Sequence, residues 1–459
     1  MSLSALFTPE TIILLGIAFI GVVSLFLVVN KDFALGIYLW FLLDLFCKHQ
    51  KLDFSGSILP DISIERMMFL FLLCIFFIEL FSGKRKLLHF TGVEYSMILF
   101  CAFAVISMIW TGSIIKEGGR LGIGSFLSGY IFPFSMFFIS KSVYDNAEKR
   151  EGFIKFIMLI GLYMVCTAFL EHFHINRLIW PRYILDPSFG IHFERARGPF
   201  VQAAVNGTVL GFILVSSFYF LIFRDNKRDL WRICSRVLLI ASPIAVFFTY
   251  TRAAWLGALA GFSLILLFIL KQGKKISTAI VIILCIGIFI GLGFFLDDSV
   301  VSLSSERAFD ESPVHDRLNL YIAMINMFKE HPVFGVGFGK FTEFSKNYFK
   351  NVDGIHFQAV GLSGHDSFAG VLAEMGVLGF SLIASIYLLI LRNSIRLYKN
   401  LKNDAKDVGL VVVFWAFMLV FIVNSIFIEM KFFEFVSSMF FVFAGIICAW
   451  EKSYAASRA

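Results

Sequence analysis

Runs of about 20 apolar residues, set apart by short charged loops, decide which folds are open to this chain. A lipid interior has no water to satisfy backbone N–H and C=O groups, so only helices and closed barrels cross it, and runs of this length read as helices. The runs in the 459-residue chain are 11–29, 33–47, 64–82, 92–110, 121–139, 153–171, 201–223, 233–250, 253–270, 276–296, 367–391, 408–427 and 433–450. The run 33–47 is short and carries Asp44, so the expectation is an all-α polytopic membrane protein with 12–13 transmembrane helices. Composition agrees, because 58% apolar residues against 16% charged ones give more apolar surface than one soluble core can hide. The opening MSLSALFTPE has no basic region and no small-residue cleavage site follows it, so the first run is expected to remain as a span.

Lysine and arginine fall in every second loop: Lys84-Arg85-Lys86, Lys141 with Lys149-Arg150, Arg224 with Lys227-Arg228 and Arg232, Lys271 with Lys274-Lys275, and Arg392 through Lys406. Such loops belong in the cytoplasm. The alternate loops, 111–120, 172–200, 251–252, 297–366 and 428–432, are then expected on the outer face. Thirteen crossings put the N-terminus outside; if 33–47 does not cross, it lies inside. The net charge of +7 is thus accounted for by loops, and no nucleic-acid partner is expected. The seven cysteines lie in or beside apolar runs without metal or disulfide spacing and read as small buried hydrophobes. With no internal repeat or long linker, residues 1–459 read as one transmembrane domain, with 297–366 as its one large external loop.

Histidine, arginine and glycine concentrate in that loop. Ser312 and Pro313 open a helix whose Leu318, Tyr321, Ile322, Ile325 and Phe328 share a face, expected to lie on the membrane surface. His331-Pro332 ends it, Gly335, Gly337 and Gly339 make a tight turn, and a second amphipathic piece follows over Lys340–Phe349. The chain re-enters the membrane at Gly364-His365-Asp366.

Arg252, in FFTYTRAAWLGAL, has almost no loop to hold it in water. It either snorkels out of a two-residue turn or clamps an anion, for which the planar, always charged guanidinium is suited. Arg317 reads as an exposed charge or a second clamp. His365, at the positive end of a spanning helix, is disfavoured as an imidazolium and so kept ready to accept a proton. Asp366 and Ser367 are candidate caps of that helix. The stretch RARGPFVQAAVNGT adds Arg195, Arg197 and Asn206, as a headgroup-facing loop or as substrate ligands. His315, His331 and His356 lack partners at ligand spacing, so no metal site is expected. Gly335 to Gly339 has nucleotide-loop spacing but follows no strand, and Gly118/Gly122 and Gly257/Gly261 read as helix-packing pairs. Asp44, Glu79 and Glu429 are scattered among the runs, better read as structural pairs than as a transporter's proton path.

The order TRAAW, HDRLNLYIAMINMFKEHPVFGVGFGKF and GHDSFAGVLAEMGVLGF, preceded by RARGPFVQAAVNG, resembles the shared region of the bacterial O-antigen ligase and O-antigen polymerase superfamily. The resemblance covers about residues 195–385; the first six runs align only in hydropathy. It implies an inverting, metal-independent glycosyltransferase without cofactor in the bacterial inner (cytoplasmic) membrane, its active site and the loop 297–366 facing the periplasm. The implied donor is a glycan on undecaprenyl pyrophosphate, and the acceptor is lipid A-core in a ligase or another lipid-linked glycan in a polymerase. By motif position it implies that Arg252 and Arg317 hold the pyrophosphate and that His365 assists the acceptor hydroxyl, with Arg195, Arg197, Asn206 and Asp366 as substrate-binding candidates. The residues are compatible: two arginines offset the charge on a leaving pyrophosphate, and no D-x-D pair in an external loop invites Mg²⁺. The ligase reading is preferred because the large external insert is late and single. A transporter or lipid flippase is the alternative from another class, and a non-catalytic partner in envelope assembly is a third.

Overall fold

The computed structural model describes residues 29–47, 51–52, 62–85, 90–113, 122–190, 193–223, 230–271, 312–348, 364–401 and 405–456. The run 276–296 and nearly all of 11–29 lie outside the described residues, as do Lys86, Gly118, Arg224, Lys227, Arg228, Lys274, Lys275 and His356.

The described helices are α1 (Phe33–Cys47), α2 (Ile64–Phe81), α3 (Gly92–Thr111), α4 (Gly122–Val143), α5 (Ala147–His172), α6 (Ala203–Ile222), α7 (Leu230–Phe247), α8 (Arg252–Lys271), α9 (Ser312–Glu330), α10 (Ser367–Asn400), α11 (Ala405–Ser425) and α12 (Glu434–Ala456). A two-residue antiparallel ladder, β1 (Lys51–Leu52) with β2 (Ile62–Ser63), precedes α2. The protein is an all-α polytopic membrane protein. Among the described residues nine helices, α3 to α8 and α10 to α12, are long and apolar enough to cross a membrane. The apolar α2 has 18 residues and carries Glu65, Arg66 and Glu79.

The 15-residue α1 joins the two ends of the bundle. Just before it, the Asn30 carbonyl accepts from Lys84 Nζ at 3.2 Å, and near its end the Leu45 carbonyl accepts from the Tyr183 hydroxyl at 3.0 Å. The basic clusters meet at the Lys84 end. There Arg85 donates to the Ser142 carbonyl at 3.0 Å, Arg150 lies 4.3 Å from the Trp450 ring centroid, and the Tyr454 hydroxyl donates to the Asn400 carbonyl at 3.3 Å.

The middle of the bundle is α12 and α6, whose apolar windows are 94% and 89% buried; those of α3 and α10 are 39% buried, the value for a helix that leaves one side to lipid. Phenylalanine fills the centre by stacking, with Phe212 on Phe417 at 3.6 Å and Phe421 on Phe440 at 4.4 Å between ring centroids. Gly257 and Gly261 let α8 approach α11, since a Cβ on Gly257 would overlap Asn424 and one on Gly261 would meet Val420 and Ala416. Gly257→Val is therefore expected to destabilise the bundle by roughly 1–3 kcal/mol, read as a lower melting temperature of the detergent-solubilised protein. An unchanged melt would mean that the two helices do not pack as described.

The buried carboxylates of the spans are largely paired. Glu79 accepts from Arg85 Nε and Nη2 at 2.8 and 2.6 Å and lies 3.3 Å from Lys84, and Glu94, inside a capping box with Thr91, is bonded to Lys141. The cysteines are less buried than their runs imply: of the six described, Cys448 is buried while Cys74 and Cys166 are exposed on helix surfaces.

Beside the expected apolar face of α9 runs a second one that packs against protein. Leu320, Met324 and Met327 are buried, packing with Val336, Phe341 and Ala373, whereas Leu318 and Ile325 are exposed. The helix carries two apolar rows, and the one nearer the glycine turn is the one that docks against protein.

That turn docks into a break in α10. Gly376, at φ 61° and ψ −164°, interrupts the 34-residue helix in a backbone region that essentially only glycine occupies. The groups freed there are taken up by the turn: Val336 N–H donates to the Ala373 carbonyl at 3.1 Å, Gly337 N–H to the Glu374 carbonyl at 2.8 Å, and Val377 N–H to the Pro332 carbonyl at 2.9 Å. On its other side the turn is held by α3, with Phe338 N–H donating to Ser107 Oγ at 3.0 Å and Ser113 Oγ to the Phe338 carbonyl at 2.7 Å.

Candidate active site

Four non-glycine residues among those described have positive φ: His174 (56°), Val201 (52°), Tyr250 (45°) and His365 (53°). Each such residue costs about 1–3 kcal/mol and persists only where its surroundings over-determine it. Three of them lie in the singled-out stretches: Val201 closes RARGPFV, Tyr250 stands two residues before Arg252, and His365 is the candidate base.

The first two stretches touch. Ala196 N–H donates to the Phe248 carbonyl at 3.0 Å, which ties the arginine loop to the turn that opens α8. Asn206, fully buried near the start of α6, donates its Nδ2 to the Ala196 carbonyl at 3.0 Å. Trp255 pins the same turn by donating Nε1 to the Val246 carbonyl at 3.1 Å. Arg252 is the first residue of α8 and is half-buried, directly below this junction.

Arg197 is not placed as a substrate ligand. It is 1% exposed, and its guanidinium donates to the carbonyls of Phe189 at 2.6 Å and Ile184 at 2.9 Å, while its own N–H and that of Gly198 donate to the Glu171 carboxylate at 3.1 and 2.9 Å. It holds the loop that presents Arg195, which is half-exposed. Asn206 serves the same loop from beneath. The residue that the sequence left unremarked here is Glu171 at the end of α5, whose signal was a carboxylate inside an apolar run.

His365 sits just before the first turn of α10, half-exposed, between buried neighbours Gly364 and Asp366. Asp366 caps the helix: its Oδ1 accepts from Phe368 N–H at 2.7 Å and Ala369 N–H at 2.8 Å, and its Oδ2 lies 2.8 Å from the Tyr321 hydroxyl. Burial pushes the Asp366 carboxyl up, and the bonds from Ala369, Tyr321 and Phe368 pull it back. Ser367 does not cap; its hydroxyl donates to the Ile428 carbonyl at 2.8 Å and accepts from Met430 N–H at 2.8 Å. Arg317 lies on α9 one turn before Tyr321, whose hydroxyl also reaches the Ile426 carbonyl at 2.9 Å. Thus α9, the His365 stretch and the segment after α11 are bonded together, and Gly257 on α8, below Arg252, abuts Asn424 near the end of α11.

The segment after α11 also supplies what the sequence reading missed. Lys431 Nζ lies 2.9 Å from Glu374 Oε2 and 2.5 Å from Glu429 Oε1, with all three side chains at least nine-tenths buried. Glu429 Oε2 accepts from Gly364 N–H at 3.1 Å, and Glu374 Oε1 from Phe341 N–H at 3.2 Å. Burial pushes the Glu429 carboxyl up against the pull of Lys431; it also works against the Lys431 ammonium, but Glu374 and Glu429 outweigh it and hold that group above its ordinary range. A cavity of about 20 Å³, the size of one water, adjoins Lys431 between Tyr130, Ser367, Phe368, Tyr387 and Ser437.

A second carboxylate group gathers Asp44 of α1, Glu65 of α2 and Glu434 of α12, all buried, with one oxygen of each within 4.8 Å of the others. Oxygens so placed are suited to a hard cation. Ser63 and Trp40 already bond Glu65, through its carboxylate and its carbonyl.

Residues 237–384 match the family model for O-antigen ligase. The match supports the O-antigen ligase and polymerase superfamily for this stretch. No curated protein matches the chain. The O-antigen ligase stretch includes Arg252, Arg317, His365, the glycine turn and the break at Gly376, whereas the RARGPF loop with Arg195, Arg197 and Asn206 falls upstream of it.

Proposed function

We propose that this protein is an O-antigen ligase that moves a glycan from undecaprenyl pyrophosphate to a sugar hydroxyl of lipid A-core, on the periplasmic face of the bacterial inner membrane. What supports this reading is the match of residues 237–384 to the O-antigen ligase family, together with the bond from the arginine loop to the turn before Arg252 and the ties from the His365 stretch to the end of α11, which abuts α8. The positive-inside rule makes that end the outer one.

In the proposed step the acceptor hydroxyl oxygen attacks the anomeric carbon of the donor from the face opposite the pyrophosphate. The new C–O bond forms as the bond from that carbon to the phosphate oxygen breaks, which inverts the centre. Undecaprenyl pyrophosphate leaves with the electron pair, and its growing charge is met by the guanidinium groups of Arg252 and Arg317, with Arg195 at the rim. His365 takes the proton of the hydroxyl. Because fixed positive forks meet the leaving group, the reaction needs no divalent metal.

The test reconstitutes the protein in liposomes with an undecaprenyl-pyrophosphate-linked oligosaccharide and lipid A-core. Glycosylated lipid A-core and free undecaprenyl pyrophosphate are expected in equal amounts, undiminished by EDTA. His365→Ala is expected to lower turnover by about 10²–10⁴-fold and Arg252→Ala by about 10²–10³-fold, with both variants folded. Transfer at the wild-type rate by both variants removes the mechanism. A product lengthened on the lipid-linked donor instead of on lipid A-core assigns a polymerase. Passage of the donor across the bilayer without covalent change assigns a transporter.

A further inference from the structure

We infer that Glu429, anchored through Lys431 to Glu374, is a positioning residue for His365. The assignment of His365 as the base rests on the transferase reading above; the geometry of the clamp does not.

His365 holds a left-handed backbone, φ 53°, that an L-residue keeps only under constraint. The constraint is visible on the residue just before it, where Gly364 N–H donates to Glu429 Oε2 at 3.1 Å. The other oxygen of Glu429 is 2.5 Å from Lys431 Nζ, so the carboxylate cannot swing away without leaving a buried ammonium half-paired. Lys431 is fixed in turn by Glu374 at 2.9 Å, on the piece of α10 that receives the glycine turn. The neighbours leave room for this arrangement and no more. A Cβ on Gly370 would stand 3.5 Å from Glu429 Oε1, and one on Gly129, inside the π-helical turn Leu127–Ile131, would stand 2.6 Å from Lys431 Cα.

If the trio only filled space between loops, apolar side chains would serve as well, because a buried ion pair gains little over a packed hydrophobic one. What the charged trio supplies is two aimed acceptors, one on the amide before His365 and one on the amide of Phe341. Ser367 adds a second tie from the same segment, to the Ile428 carbonyl and the Met430 amide. The outcome is an imidazole whose backbone is held from the segment between α11 and α12.

Two variants separate positioning from plain packing. Glu429→Gln keeps an oxygen for Gly364 N–H, whereas Glu429→Leu removes it while leaving Lys431 its bond to Glu374. Both are purified as the full chain and compared per folded molecule, by turnover with the undecaprenyl-pyrophosphate-linked oligosaccharide and by the rate at which diethyl pyrocarbonate modifies His365, read by peptide mass spectrometry. For Glu429→Leu, kcat is expected to fall about 100-fold with KM for the donor unchanged, and the His365 modification rate to change severalfold. Glu429→Gln is expected to restore both. Should Glu429→Leu yield little folded protein whose remaining fraction has normal kcat and normal His365 reactivity, the residue is structural and the inference is overturned. If the wild type transfers nothing from this donor, the transferase reading fails alone: a His365 rate altered in the leucine variant and restored by glutamine still supports positioning, and an unaltered rate still overturns it.

Discussion

Lys431→Met is expected to destabilise the folded protein by about 3–5 kcal/mol, because it strands two buried carboxylates without their cation. Lys431 stands between Glu374 and Glu429, which are 2% and 4% exposed, and removing the cation leaves like charges facing each other across its former site. The expected readout is a large drop in the melting temperature of the solubilised protein, followed by intrinsic tryptophan fluorescence. The cause is separable by adding Glu374→Gln and Glu429→Gln to the same chain, which removes the stranded charges and is expected to return most of the stability. A triple variant melting as low as the single one would place the damage in packing instead. A single variant that melts with the wild type would show that the ion trio contributes nothing measurable.

Gly376→Ala is expected to open the lock between the external loop and α10. At φ 61° and ψ −164° the residue occupies a conformation nearly closed to any side chain, and a Cβ there would overlap the Val333 carbonyl. The strain alone is about 3 kcal/mol before the clash is added. The partner face is equally tight, as a Cβ on Gly335 would overlap the backbone at Glu374 and Met375. Limited proteolysis of residues 331–348 is expected to accelerate in Gly376→Ala and in Gly335→Ala alike. Gly124→Ala serves as the contrast, since it lies in a helix with nothing within 4 Å of its would-be Cβ, and the same assay is expected to leave it unchanged or slightly more resistant. Equal cleavage in Gly124→Ala and Gly376→Ala would show that the break is not what holds the loop.

The spans were legible because a 20-residue apolar run has one use, and each described run became a helix, although α5 begins before its run and α10 and α12 continue past theirs into polar sequence. The histidine at the start of α10 and the glycines of the turn were legible too, since the residue types demanded a helix start and a sharp bend. The turn's receptor was not. Glu374-Met375-Gly376 reads as ordinary helix until one sees that the turn supplies the partners the break sets free. Arg197 deceived for the opposite reason: a guanidinium in an outer loop looks available until the carbonyls of Ile184 and Phe189 are brought around it. Glu429 was legible as a carboxylate in want of a partner, but its partners were not, because Glu374 and Lys431 are far apart in sequence and no periodicity links them. Glu65 and Glu434, the neighbours of Asp44, were hidden in the same way.

The placement of Glu429 and Lys431 after α11 has a bearing on how the protein is made. The glycine turn and its receptor emerge from the ribosome close together, so that lock can shut as soon as α10 enters the bilayer. Gly364 and His365 are synthesised before the segment after α11, whose Glu429 accepts from Gly364 N–H. A nascent chain halted before residue 426 would already carry Arg252, Arg317 and His365, yet would lack the carboxylate that receives the amide just before that histidine.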